Sequence, residues 1–141
     1  MSRHRDERGS FTIWALGLCV TLLFLGGIAI DAWRMFGARR DLANATEAAA
    51  RAGATGIDED RLRTEGVLTL DRRRVDQLAR ESLAATGNTA RVDAPPSITV
   101  QDFTVSVRAR TTVVLPLIGL LSPGGARRTI YASAQAQPRT G

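Results

Sequence analysis

The sequence predicts an α+β fold: one long N-terminal helix, a second helix, and a small antiparallel sheet of three or four strands. Three observations carry this. The twenty residues from Phe11 to Ile30 hold no charge, with Arg8 before them and Asp31 after. Apolar residues then recur every three or four positions as far as Ala52, the period of a helix with one covered face. Beyond Gly87 the period drops to two, as in a strand with one covered face.

The first run is a membrane-spanning helix. At about 1.5 Å per residue it covers roughly 30 Å, the thickness of a bilayer's hydrocarbon core. Only Thr12, Cys19 and Thr21 are even mildly polar, so there is no water-facing stripe of the kind a soluble core helix needs. Arg3, Arg5 and Arg8 lie before it, and Arg34, Arg39 and Arg40 follow. That near-tie leaves orientation unset by charge. The N-terminal tail, residues 1–10, is placed in the cytoplasm because the long segment carries the folded-domain pattern. A cleaved signal peptide is the competing reading, with Gly27-Ile28-Ala29 as its small-x-small site. Its apolar region would be shorter and would not run on as a helix.

Composition excludes several functions. All nineteen basic residues are Arg, scattered along the chain, and no aromatic residues alternate with Arg72 to Arg74. A base-stacking surface for nucleic acid needs that alternation. The one cysteine, Cys19, sits in the apolar run, and the one histidine, His4, sits in the tail. A disulfide, a cysteine-based metal site and a histidine-assisted nucleophile are therefore ruled out for the folded part. No catalytic, cofactor-binding or metal-binding residue is nominated, and the protein is read as a non-enzyme.

From Asp31 the helix continues without a breaker to Gly53. Met35, Ala38, Leu42, Ala45, Ala49 and Ala52 draw one apolar stripe, while Arg40, Asn44, Glu47 and Arg51 draw a polar one. Glu47 and Arg51 stand at the favourable i, i+4 spacing. Residues 10–53 would then form a rod about 65 Å long. Its stripe of small residues either lies on the chain's own sheet or packs against neighbouring subunits, and both can hold on different faces.

Residues 53–65 read as a loop, with Asp58-Glu59-Asp60 a solvated acidic cluster lacking the spacing of a calcium loop. Residues 67–70 offer a short strand. Asp71 caps a second helix over 72–86, with Asp76 and Arg80 paired and Gly87 as the stop. Arg72 to Arg74 crowd a first turn where the helix dipole disfavours cations. In the two-residue pattern, Phe103, Val105, Val107, Ala109, Val113 and Leu115 share one side. Val92 and residues 97–100 supply further strand material. Residues 129–136 alternate again, with Ile130, Ala132, Ala134 and Ala136 inward. Between the last two strands, residues 115–125 are too apolar for a surface loop and too short to span. The default is a short helix folded under the sheet; the alternative is a dip into the membrane surface or a neighbour. Residues 137–141 read as a disordered tail, leaving 57–136 as the extracytoplasmic domain.

The arrangement Arg8-Gly9-Ser10-Phe11-Thr12-Ile13, one span, and an Ala-rich helix ending Ala49-Ala50-Arg51-Ala52-Gly53 resembles the TadE/TadG-like proteins of tight-adherence (Flp-type) pilus systems. The likeness is clearest over residues 7–56. It implies a pilin-like, non-enzymatic minor pilin or pseudopilin of a pilus assembly or secretion system. Such a protein is held in the inner (cytoplasmic) membrane, among membrane lipid, other Tad proteins or pilin subunits, and copies of itself. In TadE-type pseudopilins a prepilin peptidase cuts after a Gly, and Gly9, followed by Ser10, occupies that place. Trp14 stands where their mature helix carries Glu. That departure sets the chain nearer the unprocessed TadG-like members, and the local reading is that Ser10 caps the spanning helix. Gly17, Gly26 and Gly27 are candidate helix-packing positions, with Gly26-Gly27 a hinge. The alternative function is a membrane-tethered binding module of an envelope machine unrelated to pili.

Overall fold

A computed structural model of the chain describes residues 6–86, 92–121 and 125–138. Its elements run α1 (Asp6–Ala54), α2 (Glu59–Glu65), α3 (Arg72–Ala85), β1 (Ser97–Gln101), β2 (Thr104–Leu115), α4 (Pro116–Leu121) and β3 (Ala126–Ala136). The strands form one antiparallel sheet in the order β1-β2-β3, with the water-side half of α1 and α3 across one face. The fold is α+β.

α1 is one uninterrupted helix of 49 residues, about 73 Å long at the standard rise. It starts at Asp6, so Ser10 is not its cap: Gly9 and Ser10 both lie inside the helix. A lone Gly lowers helix stability by only about 1 kcal/mol, which the apolar run that follows outweighs. Residues 1–5 of the expected tail lie outside the described residues. The helix also continues without interruption through Gly26 and Gly27.

The core is where α1 earns its alanines. Leu42, Ala45, Ala49, Ala50 and Ala54 of α1 meet Val75, Ala79 and Leu83 of α3 and Val105, Val107 and Ala109 of β2, all buried. Small side chains let the α1 backbone approach both neighbours closely. At Gly56, just past the helix, a Cβ would stand 2.9 Å from the Val75 nitrogen, so only glycine fits that approach. Thr46 is buried in the same face and donates its hydroxyl to the Leu42 carbonyl at 2.6 Å. The second half of α1 thus shares one core with α3 and β2.

The alternation in β2 is observed as read. Val105, Val107, Ala109 and Leu115 are buried with Thr111, and Arg108, Arg110 and Thr112 are exposed. Phe103 departs from that row: it sits with Asp102 in the two-residue turn joining β1 to β2, half its surface open. Asp102 takes φ 53° there, a left-handed conformation that short polar residues tolerate. β3 pairs along its whole length with β2 and faces Ile130, Ala132, Ala134 and Ala136 inward, half-buried. It begins at Ala126, three residues before the expected start.

Three segments differ from expectation. The acidic stretch in the expected loop is a helix start: the Asp58 carboxyl accepts the Arg61 N–H at 3.2 Å, and Glu59 and Asp60 fill the first turn of α2, where the helix dipole favours anions. The expected strand at 67–70 reduces to a single bridge, Ile57 to Leu70. It is flanked by Asp58 N–H to Thr69 carbonyl (2.8 Å) and Asp71 N–H to Gly56 carbonyl (3.0 Å). Val92 packs on the core outside any strand. α3 follows its predicted span. Asp71 caps it through the Arg73 N–H at 2.9 Å, and Glu59 of α2 lies 3.7 Å from Arg74, offsetting part of the cationic crowding. The expected stop at Gly87 lies outside the described residues; Thr86 forms the C-cap. Gln137, in the expected tail, donates its amide to the Thr104 hydroxyl at 3.1 Å.

Candidate functional site

Two surfaces of α1 divide the expected functional residues. Of the predicted stripe, Leu42, Ala45 and Ala49 are buried under the chain's own α3 and sheet, Ala38 and Ala52 are half-buried, and Met35 is exposed. The partners of Leu42, Ala45 and Ala49 are therefore within this chain, one of the two arrangements the spacing allowed. Glu47 pairs with Arg51 on the polar stripe as expected. From Phe11 to Ile30, by contrast, the large apolar side chains are all exposed. This is the one helix among the described residues that is long and apolar enough to cross a membrane, with a mean hydropathy of 2.4 over its best window.

The glycines of the span are not equivalent. A Cβ at Gly17 or Gly26 would meet nothing within 4 Å, whereas at Gly27 it would stand 3.2 Å from Leu117. Leu117 belongs to α4, which docks beside α1 instead of folding under the sheet. Its docking is fixed by Asp31. That carboxyl is fully buried, and its Oδ2 accepts the N–H of Leu117 at 2.9 Å and of Ile118 at 2.8 Å. Its other oxygen, Oδ1, has no partner among the described residues.

The reason lies in α4's own sequence. The residue before the helix is Leu115, which has no side-chain acceptor for the first-turn N–H groups. Pro116 lacks an N–H, and Asp31 takes the next two. One carboxyl from the end of the apolar run thus caps a helix 86 residues later. Sequence reading passes over Asp31 because it marks the span's boundary and has no local partner. An uncapped helix opening on Leu-Pro was the available signal that a distant acceptor was needed.

Elsewhere the surface offers little chemistry. The sheet's outer face bears an open groove of about 610 Å³ lined by Ser97, Arg108, Arg110, Tyr131 and Ser133 among others. Among the described residues, no three of His, Cys, Asp and Glu come together as a metal site would require.

The comparison with known families falls on α1. Residues 9–56 match the Tad family model. Its description is "Putative Flp pilus-assembly TadE/G-like". The Tad match begins at the Gly9-Ser10 pair and ends at Gly56, so it takes in the apolar run, Asp31, the alanine face and the glycine that closes on α3. The sheet and α2 to α4 lie beyond it. No curated protein and no solved structure matches the chain.

Proposed function

We propose that the protein is a membrane-anchored, non-enzymatic component of a tight-adherence pilus assembly or secretion system, of minor-pilin or pseudopilin type. The observation that carries this reading is a coincidence of boundaries: the Tad match, residues 9–56, and the single rod of α1, Asp6–Ala54, are nearly the same segment. What resembles pilus-assembly proteins is thus the anchor and its water-side continuation together.

In this reading the span sits in the inner membrane with its N-terminus in the cytoplasm and the sheet outside. The exposed faces at Gly17 and Gly26, which no part of this chain covers among the described residues, receive other spans of the assembly or a second copy. Met35 and the exposed Trp33 and Phe36 extend that contact just beyond the bilayer. In this reading the chain enters the assembly uncut at Gly9-Ser10, because Trp14 stands where TadE-type pseudopilins carry Glu; the intact mass of the purified chain tests this.

Deleting the gene and imaging surface filaments tests the function. Loss of filaments, restored by the full chain, is the expected result; normal filaments in the deletion strain overturn it. A chain with Gly17 and Gly26 both replaced by Leu is expected to insert in the membrane normally and to restore few filaments, as judged by fractionation and microscopy. Full restoration would remove these glycines from the assembly surface.

A further inference from the structure

α4 presents an apolar surface that the folded domain does not cover. Leu120 is 85% exposed and Leu117 42%, on a six-residue helix with no charged side chain, PLIGLL. Both leucines line a small open cleft with Leu23, Phe24, Gly27 and Ile28 of α1. They therefore stand level with the outward half of the apolar run, not above it. Length then decides what surrounds them. Residues 11–22 alone measure only about 18 Å, well short of a hydrocarbon core of about 30 Å. A helix that crosses here must bury the level of residues 23–28 in acyl chains, and Leu117 and Leu120 go with it.

The polar groups at that depth are arranged for it. A helix start brought into lipid needs its free N–H groups satisfied from within the protein. In α4, Pro116 has none and Asp31 takes those of Leu117 and Ile118. One turn farther from the span, exposed Trp33 and Arg34 suit a headgroup layer.

We infer that α4 is a second membrane-contacting element, with Leu117 and Leu120 inserted among the acyl chains of the outer leaflet beside the span. This rests on the reading that residues 11–30 cross a bilayer, and the experiment separates the two. Single cysteines are placed at Leu120, at Leu22 in the span and at Arg110 on the outer sheet face, each in a Cys19→Ser background. Each is labelled with an environment-sensitive fluorophore, and the full chain is reconstituted in phosphatidylcholine vesicles containing acyl-brominated lipid. The expected result is strong quenching at Leu22 and Leu120 and none at Arg110. Quenching at Leu22 without quenching at Leu120 overturns the insertion of α4 and leaves the span intact. Quenching at neither position overturns both. Protection of the Leu120 label from aqueous iodide without lipid quenching means that protein, not lipid, covers α4, and also overturns the inference.

Discussion

The two halves of α1 share one backbone and no interruption, yet they solve opposite problems. From Phe11 to Ile30 the apolar side chains point in every direction and the chain covers almost none of them. From Leu42 to Ala54 the covered apolar residues share one face, and that face is buried to completion at Leu42, Ala45, Ala49 and Ala50. The side chains differ in size as well. Large ones fill the exposed half, which is long and apolar enough to cross a membrane. Alanine dominates the water-side half, where α3 and the sheet must come close. A helix's pattern reports its solvent before it reports its fold.

The sharpest way to break this contrast is to remove volume from each half. Leu42→Ala is expected to destabilise the domain by about 2–5 kcal/mol, the usual cost of emptying a fully buried site. Leu18→Ala, in the exposed half, is expected to leave domain unfolding unchanged. Urea titration of the full chain in detergent, followed by circular dichroism, checks both; equal losses would mean that the halves fold as one unit. Asp71→Ala removes the cap on α3 and is expected to cost about 1 kcal/mol, again without effect on membrane insertion. The smallest effect concerns Asp76. Its hydrogen bond from Arg80 at 2.7 Å holds its carboxyl below the usual 3.8, with slight burial opposing and the nearby guanidinium charge assisting. A lowered value in the folded state means stability that is present above pH 3.8 and lost as the pH falls through the folded value. Asp76→Asn is therefore expected to lower the melting temperature slightly at pH 7 and not at all at strongly acid pH, the exposed pair being well screened by solvent.

Legibility in the sequence followed the range of the interaction. The span, the stripe, the Asp71 cap and the alternation of Val105, Val107 and Ala109 were readable because each rests on neighbours within a few positions. α2 was not, because none of its residues is buried and no period marks it. Its one local clue, acids after an N-capping Asp, reads equally well as a solvated loop. The Asp31 junction was least legible: donor and acceptor sit 86 residues apart, and neither flank of the apolar stretch around Leu117 names its partner. The stripe left its occupant open for a related reason, since spacing states that a face is covered and not by what.

That junction also sets an order of events for a growing polypeptide. The anchor emerges first, but the carboxyl at its upper end has no backbone donors until residues 117 and 118 have been made. Synthesis must pass β2 before the foot of the rod is fastened, and β3 follows immediately to close the sheet. Until then the end of the apolar run is an acid without those bonds, and a chain ending before Pro116 keeps it that way.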